Sequence, residues 1–539
     1  MADAPRELTP PIVQGQTAKE KKYDRQLRLW AASGQRALEE SHVLLIIGSE
    51  SIGSNSSAAG VETLKNLILP GIGQFTIADS ETVKEADLGV NFFLEPDSLN
   101  KSRAEATTRL LLELNPDVSG HAITSPLSEW LPLEDSLRPF NLILLSAPIP
   151  TETLQWLASY AHANSLPLIY IQSAGFYACF SIQLPSEFPI VDTHPDPETM
   201  QDLRLLAPWP ELEATVDALG DIAKLRDHDH GHIPYILLLL YYLREWKTSH
   251  DNSYPSTFKE KTEFRDLVRS GTRTNNPEGG EENYEEATAA VLKSIAPPPI
   301  GSGCKDLFSM AQTTELGPSS SNFWIIAHAI KVFYDAHGVL PLPGSLPDMK
   351  ATSEEYIKLQ NLYKSKARSD IAEVKQTVQQ LLETKLDKAT TSPIPDVEID
   401  SFCKNASQVR VLTNPDGTLI PSLRMMKSDP KLLATLPSIV ENDWEGLFPV
   451  FLALNTNTGS SSSDIDPSTL SSDPEKQENL TKAVNEAQRV AGGELHNVSS
   501  VLGGMVAQEA IKLLTRQYVP VDGTCVFDGV RSKVGVFKL

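Results

Sequence analysis

The sequence predicts an α/β fold that a large, mainly helical insertion interrupts. Two apolar segments, Val43–Ile47 and Phe75–Ile77, flank a helical pattern, and Asp79 follows the second of them. Helical patterns keep alternating with unbroken apolar runs up to about residue 190, so we expect parallel strands covered by helices on both faces. Long helical periodicities dominate the middle of the chain, and the alternating pattern returns near its end.

The first α/β segment follows from ordinary local patterns. Leu64, Leu67 and Ile68 share one face of a helix. Pro70 and Gly71 end that helix and lead into the next strand. The other elements predicted here are helices at Tyr23–Trp30, Gln35–Glu40, Lys101–Leu114 and Leu154–Ala163 and strands at Asn141–Ser146 and Pro167–Gln172.

The pattern divides the chain into four parts. We assign 1–22 to a disordered tail, 23–195 and 486–539 to the two parts of the α/β unit, and 196–485 to the insertion. Within the insertion, the Ser/Asp-rich stretch 459–478 has the composition of a flexible loop. The predicted later elements are helices at Tyr235–Glu245, Asn322–His337, Glu354–Leu382 and Asn497–Thr515 and strands at Cys525–Asp528 and Val534–Lys538.

Composition excludes several classes of function. The 539 residues carry 47 Lys and Arg against 70 Asp and Glu, and this net charge of −23 argues against nucleic acid or anionic membranes as partners. The longest apolar run, Ile233–Leu243, is shorter than the ~20 residues that span a bilayer. Four scattered cysteines without C-x-x-C spacing predict no metal site and a reducing compartment, so we expect a soluble intracellular protein.

The strand, helix and strand that end at Asp79 have the layout of a nucleotide-binding half. A phosphate-binding loop needs closely spaced glycines, so that backbone N–H groups can approach the phosphate. Gly48, Gly53 and Gly60 do not form the G-x-G-x-x-G pattern, and Glu50 places a negative charge where a phosphate would lie. The spacing therefore predicts a degenerate loop that binds no phosphate.

Two further groups of residues leave alternatives open. His228, His230 and His232 alternate in sequence and could bind a metal, but the favoured interpretation is a loop before the helix at Tyr235, with Asp227 or Asp229 near the start of that helix. Cys304 is the best candidate for a reactive thiol because Lys305 could lower its pKa, with a loop cysteine of no catalytic role as the alternative. The Gly503–Gly504 pair predicts a close approach of its helix to the sheet.

Several separate motifs together resemble one family. Tyr23–Trp30, Leu64–Leu67, Gly71 with the strand to Asp79, and Gly503–Lys512 resemble the adenylation half-domain of ubiquitin-like-modifier activating enzymes, which has a Rossmann-like ThiF/MoeB-type fold. Within that family, the non-catalytic subunits that serve neddylation are the most similar. The segments that carry this second resemblance are Asn91–Leu94, Phe188–Pro195, Phe258–Leu267 and Pro347–Asn361.

Departures from the active members of the family imply a degenerate nucleotide site. Where active halves have Asp-x-Asp, this chain has Asp79 and Glu81. The family's Asn-Arg-Gln is matched by Gly89, Val90 and Asn91, or by Val90, Asn91 and Phe92 after a one-residue gap. Neither register contains an arginine, and Arg103 matches the family's next lysine. The resemblance also finds no cysteine in the context of the family's thioester site.

The resemblance implies a regulatory subunit that binds no cofactor itself. ATP and Mg²⁺ would lie in a catalytic partner subunit, which adenylates the modifier of the neddylation pathway, captures it as a thioester and passes it to a conjugating enzyme. The family's N-terminal helix implies that Arg25 reaches the partner's ATP site, whereas the alternative is a surface arginine paired with Asp24 or Glu39.

Partner contacts and competing functions are also predicted. Candidate anchors for the partner, which could equally pack inside the helical domain, are Met349, Tyr356, Ile357, Leu359 and Leu362. Two other functions remain open at this point: the non-catalytic subunit of a SUMO-activating enzyme, and a stand-alone adenylyltransferase that acts on a sulfur-carrier protein.

Overall fold

The computed structural model describes residues 17–48, 57–133, 135–275, 280–297, 300–385, 393–417, 419, 443, 446–456, 473–490 and 493–537. The chain forms two compact units. The α/β unit contains Met1–Phe188 and Leu412–Leu539, and the helical unit contains Pro189–Val411. The helical insertion therefore begins close to the predicted residue 196 but ends at Val411, well before the predicted residue 485.

Eight strands of the described chain form one sheet, in the order β10-β9-β6-β5-β4-β1-β2-β3. The strands are β1 (His42–Ile47), β2 (Gln74–Ala78), β3 (Ser119–Ile123), β4 (Leu142–Ser146), β5 (Leu168–Ala174), β6 (Tyr177–Gln183), β7 (Glu187–Ile190), β8 (Arg410–Thr413), β9 (Thr524–Asp528) and β10 (Lys533–Phe537). From β3 to β5 all neighbours are parallel, whereas β6, β9 and β10 pair antiparallel. β7 and β8 form a separate two-stranded sheet.

The α-helices follow in chain order. The first part of the α/β unit contains α1 (Ala18–Lys22), α2 (Asp24–Glu39), α3 (Ala58–Ile68), α4 (Glu85–Leu88), α5 (Arg103–Leu112), α6 (Leu127–Trp130) and α7 (Thr151–Ala163). The helical unit contains α8 (Pro210–Asp217), α9 (Asp227–His230), α10 (Tyr235–Ser249), α11 (Phe258–Ser270), α12 (Glu282–Ser294), α13 (Ser302–Thr313), α14 (Asn322–His337), α15 (Ser353–Lys385) and α16 (Asp396–Asn405). The chain then forms α17 (Phe448–Thr456), α18 (Pro474–Val490) and α19 (His496–Thr515).

The later end of the insertion has been predicted wrongly for a physical reason. The sequence groups the residues of α17 and α18 with the helical insertion because the α/β pattern returns only in the last segment of the chain. In the structure, Phe448 and Phe451 of α17 and Leu480 of α18 pack in one apolar cluster with Tyr177 of β6 and Val526 of β9. These two helices therefore cover one face of the sheet in the α/β unit.

Two predictions of irregular structure need correction. Residues 17–22 are not disordered: Thr17 and Glu20 form a reciprocal capping box at the start of α1. Of the predicted loop 459–478, Pro474 and the residues after it belong to α18. Residues 1–16 and 459–472 lie outside the described residues.

The pairing of α3 and α19 brings the two sequence-distant parts of the α/β unit together. A Cβ atom on Gly503 would lie 2.6 Å from Glu62 Cβ and 2.9 Å from the backbone nitrogen of Thr63. Only glycine permits the two helices to approach this closely. The sequence predicted that this glycine lets its helix approach the sheet, and the structure shows that Gly503 itself contacts the helix α3. Gly504, in contrast, faces open space.

The helical unit contains two apolar cores that share one long helix. Leu359 and Tyr363 of α15 belong to a core built around α10 and α12. Val374 and Val378, farther along the same helix, belong to a core built around α13, α14 and α16. Asp370 lies between these two pairs, where its carboxylate accepts a hydrogen bond from the backbone of Leu342 at 3.0 Å.

Candidate functional site

The candidate site is the edge of the sheet at which β1, β2 and β4 end. The strand order β3-β2-β1-β4-β5 reverses direction between β1 and β4. Open parallel sheets bind ligands outside the carboxyl ends of the strands at such a reversal point. Gly48 directly follows β1, and a Cβ atom there would lie 1.6 Å from the carbonyl oxygen of Pro148. The two loops that flank the reversal point are therefore in close contact.

The predicted acidic position after β2 is occupied by a buried ion pair. Arg103 Nε donates to Asp79 Oδ2 at 2.6 Å, and Arg103 Nη2 donates to Asp79 Oδ1 at 3.2 Å. Arg103 Nη1 also donates to Asp87 Oδ1 at 3.2 Å. The three side chains are at most 5% exposed. Both oxygens of Asp79 are thus engaged by one guanidinium, which also binds the carboxylate of Asp87.

Glu81, the second predicted acidic position, lies two residues beyond Asp79 and is half-buried. Its backbone N–H donates to Asp79 Oδ1 at 3.0 Å, and its carboxylate lies 3.7 Å from Lys84 Nζ. Protein groups therefore stabilise the turn that holds Asp79 and Glu81.

The positions that match the family's phosphate-binding arginine supply no cation. Gly89 ends α4 and is exposed, and the carbonyl oxygen of Val90 lies 2.9 Å from His496 Nδ1. Asn91 is 2% exposed, and its side-chain oxygen accepts a hydrogen bond from Phe93 N at 2.9 Å. These residues form a tight turn. Glu50 and Gly53, the other predicted positions of the degenerate site, lie outside the described residues.

Phe92, which matches in the alternative register, is 68% exposed. Its ring stacks on the imidazole of His496 with 3.5 Å between the ring centroids. In the alternative register Asn91 takes the place of the arginine and Phe92 that of the glutamine, so neither register places a cation at this position.

Sequence reasoning missed Glu494, whose side chain contacts the first residues of α3 although it is far from them in sequence. The backbone N–H of Ala58 donates to Glu494 Oε2 at 2.8 Å, and that of Ala59 donates to Oε1 at 3.3 Å. No spacing or periodicity could have found this contact, because the residues are separated by 436 positions. The only sequence signal is an acidic residue just before the predicted helix at 497.

Arg25 lies in the first turn of α2, a helix that is anchored on both sides of it. Tyr23 is 2% exposed, and its hydroxyl accepts a hydrogen bond from Asn115 Nδ2 at 3.1 Å. Trp30 is 6% exposed, and the helix breaks there, as the separate predictions of two helices anticipated. Arg25 itself is exposed and forms no hydrogen bond or ion pair within the described part of the chain.

The predicted alternative for Arg25 was pairing with Asp24 or Glu39. Instead, Asp24 pairs with Arg28 at 2.9 Å and Glu39 pairs with Lys19 at 2.8 Å. Within the described residues, Arg25 therefore pairs with neither of these two carboxylates.

Most of the predicted partner anchors lie inside the helical unit. Met349 and Leu359 are 8% and 2% exposed in the core that α10 and α12 share. Tyr356 and Leu362 pack against the same core, and Ile357 alone is exposed, at 53%. Four of the five residues therefore pack inside the helical unit, which was the alternative to a role as partner anchors.

The histidine tract contributes to a buried polar network. His230 Nδ1 lies 2.7 Å from Glu281 Oε1, and its Nε2 lies 3.0 Å from the hydroxyl of Tyr284. His228 and His232 stack on each other, with ring centroids 4.4 Å apart. The described residues contain no group of three or more metal-ligating side chains.

The cysteines of the chain have the environment of core residues. All four are buried and unpaired. Burial raises the pKa of Cys304 to about 12, so the expected lowering of this pKa by Lys305 is wrong. A thiol in this state is a poor nucleophile. Among the described residues, no helix is both long and apolar enough to cross a bilayer.

Comparison with known proteins identifies the family. The model of the ThiF family matches residues 23–539. The NEDD8-activating enzyme E1 regulatory subunit of Danio rerio is 34% identical over 557 residues, which are 97% of this chain and 99% of that protein.

Relatives from other organisms agree. The protein of the same name from Xenopus laevis is also 34% identical, over 97% of this chain and 99% of that protein. The regulatory subunit AXR1 of Arabidopsis thaliana is 32% identical over 96% of both chains. The α/β sheet, the helical insertion and these matches together show that the chain belongs to the ThiF family and, within it, to the NEDD8-activating enzyme E1 regulatory subunits.

Proposed function

We propose that this chain is the non-catalytic, regulatory subunit of a heterodimeric enzyme that activates NEDD8. The relatives that carry this name match almost the whole chain from end to end. The match therefore includes the helical insertion as well as the α/β unit. This favours the neddylation pathway over the SUMO-activating alternative.

The observation that carries the non-catalytic part of the proposal is the buried Asp79–Arg103–Asp87 ion pair. In the active halves that the motifs resemble, the acidic position after β2 serves Mg²⁺ and the nucleotide. Here both oxygens of Asp79 already accept hydrogen bonds from Arg103. Freeing this carboxylate for a ligand would leave charged groups buried without compensation, at a cost of several kcal/mol per ion.

The turn at Gly89, Val90 and Asn91 supports the same conclusion. It contains no cation that could bind the phosphates of ATP. The adenylation of the modifier therefore belongs to the catalytic partner subunit, which holds ATP and Mg²⁺. That subunit also forms the thioester and passes the modifier to a conjugating enzyme.

The contribution of this chain to the reaction is Arg25. Its guanidinium is exposed and unpaired within the described residues, on a helix that Tyr23 and Trp30 anchor. A guanidinium beside the phosphates of the partner's ATP would stabilise the charge that develops when the modifier's carboxylate attacks the α-phosphate and pyrophosphate leaves. The net charge of −23 fits protein partners and no nucleic acid. We further propose a location in the cytoplasm and nucleus, as the family resemblance implies.

Reconstitution with defined partners tests the proposal. The full chain is mixed with the catalytic subunit of a NEDD8-activating enzyme or, in a parallel sample, with that of a SUMO-activating enzyme. We expect a stable heterodimer and modifier-dependent ATP–pyrophosphate exchange with the first subunit only. Modifier-dependent exchange by the chain alone, or a preference for the SUMO partner, would overturn the proposal.

A further inference from the structure

The beginning of α3 is filled by a carboxylate from the far end of the α/β unit. Glu494 accepts hydrogen bonds from Ala58 N at 2.8 Å and from Ala59 N at 3.3 Å, one with each of its oxygens. Ser499 Oγ donates to the same carboxylate at 3.3 Å. Glu494 is only 8% exposed, so this is an interior contact.

The contact between Glu494 and α3 lies where related folds bind phosphate. α3 follows β1 and begins next to the reversal point between β1 and β4. In nucleotide-binding α/β folds, the N–H groups that begin this helix bind phosphate, because they lack partners within the helix and lie at the positive end of its dipole. In this chain, two of those N–H groups already bind an anion that belongs to the protein.

The backbone around Glu494 is fixed as well. Gly175, between β5 and β6, donates its N–H to the carbonyl oxygen of Gly493 at 2.8 Å. On the other side, α19 begins at His496, two residues beyond Glu494. The carboxylate is thus positioned by the turn after β5 and by the helix that packs against α3. The N-cap residue Ser57 forms no side-chain cap with the helix.

We propose that Glu494 is an internal substitute for a bound phosphate. Its carboxylate accepts the hydrogen bonds of the N–H groups that would otherwise bind a phosphate. The beginning of α3 is therefore stable without a nucleotide, and these N–H groups do not contribute to nucleotide binding. The proposal rests on the proposed function, because it explains how a non-catalytic half keeps the fold of a nucleotide-binding one. It adds a residue and a latent anion site that the resemblance does not supply.

The test removes the carboxylate of Glu494 and supplies inorganic phosphate in its place. In the full chain, Glu494→Ala leaves the N–H groups of Ala58 and Ala59 without their acceptor. We expect a lower melting temperature than that of the wild type. Millimolar inorganic phosphate should raise it again by about 2 °C or more, at constant ionic strength. Isothermal titration should show phosphate binding to this variant at least about tenfold tighter than to the wild type.

Glu509→Ala is the matched control. Glu509 is also buried and also accepts a hydrogen bond from a backbone N–H, that of Val521 at 2.7 Å. Its other partner is the ammonium group of Lys512 at 2.6 Å, and it does not lie at a helix N-terminus. Its loss should destabilise the chain without creating a response to phosphate. An equal response of the wild type, Glu494→Ala and Glu509→Ala would overturn the proposal.

A second variant keeps the proposal testable if Glu494→Ala does not fold. Glu494→Gln fills the same space and retains one acceptor oxygen but lacks the charge. We expect its melting temperature to fall by more than that of Glu509→Gln, since only Glu494 faces the positive end of a helix. Equal effects would contradict the proposal. Neither outcome tests the proposed function, which fails in the reconstitution experiment described above: if the wild-type chain alone supports modifier-dependent exchange, or if it prefers the SUMO partner.

Discussion

Arg103 and Arg25 have opposite environments although both are arginines that the family resemblance singles out. Arg103 is 4% exposed and is shared between Asp79 and Asp87. Arg25 is exposed and unpaired within the described residues. The first guanidinium is part of the interior of this chain, whereas the second is free to act on a partner. The two residues therefore give two separate predictions.

Replacing Arg103 should destabilise the α/β unit strongly. Arg103→Met leaves the carboxylates of Asp79 and Asp87 buried without their counter-ion, so we expect a loss of about 3–5 kcal/mol in the free energy of unfolding. Urea denaturation followed by circular dichroism measures this loss. Arg109→Met is the control, because Arg109 and its partner Glu95 are both more than half exposed and such pairs contribute less than about 1 kcal/mol. Equal losses for the two variants would show that the buried ion pair has no special role.

Replacing Arg25 should affect chemistry on the other subunit. We expect Arg25→Ala to leave the heterodimer assembled and to slow modifier-dependent ATP–pyrophosphate exchange on the order of 10²-fold, the typical effect of losing one charge-stabilising group. Arg25→Lys should restore part of the rate, because the ammonium keeps the charge but loses the planar fork of donors.

Arg28→Ala is the matched control for Arg25. Arg28 lies one turn farther along the same helix, where it pairs with Asp24 at 2.9 Å. Its loss should leave the exchange rate nearly unchanged. If Arg25→Ala assembles normally and exchanges pyrophosphate at the wild-type rate, Arg25 has no role in the partner's site.

The helix pair α3 and α19 determines how the two parts of the α/β unit fit together. Gly503 permits the contact with Glu62 and Thr63, whereas the next residue, Gly504, faces open space. Glycine destabilises the interior of a helix relative to alanine. On α19 this cost has a packing reason at Gly503 and none at Gly504.

Gly503→Ala and Gly504→Ala should therefore have opposite effects on stability. A methyl group on Gly503 would force α3 and α19 apart, which we expect to cost about 1–3 kcal/mol. The same change at Gly504 should be neutral or stabilising by up to about 1 kcal/mol, because alanine is the better helix former. Thermal denaturation of the two variants measures both effects. A Gly503→Ala protein as stable as the wild type would mean that the helices do not depend on close approach.

Elements with a strong local pattern were predictable from the sequence, and elements defined by distant contacts were not. β4 and β5 are buried along their whole length, β1 is buried at every residue after His42, and all three appear as apolar runs. β3 was missed because it lies at the edge of the sheet and none of its residues is fully buried. The helical pattern of α17 and α18 did not reveal which core they join, and the contact of Glu494 with α3 has no local signature at all.

At the scale of the whole molecule, each of the two units contains its own cysteines. Cys304 and Cys403 lie in one core of the helical unit. Cys179 belongs to an apolar cluster of the α/β unit, and Cys525 is buried elsewhere in the same unit. Burial raises the pKa of Cys304, Cys403 and Cys525 to about 12 and that of Cys179 further. Since the thiolate is the reactive form, the native chain should resist alkylation near neutral pH.

Thiol labelling should consequently report the unfolding of each unit. With iodoacetamide at increasing urea concentrations, we expect Cys304 and Cys403 to become modified together, and Cys179 and Cys525 together. Mass spectrometry of peptides resolves the four sites. Rapid modification of Cys304 in the native protein at pH 8 would contradict its assignment as a core residue without a catalytic role.

The central claim is that this chain supports an activating reaction without binding the nucleotide itself. Calorimetric titration of the full, isolated chain with Mg-ATP tests that claim most directly. We predict no binding of Mg-ATP below millimolar concentrations, because Asp79 is paired with Arg103 and the first N–H groups of α3 are bound by Glu494. A micromolar dissociation constant for the isolated chain would contradict the account.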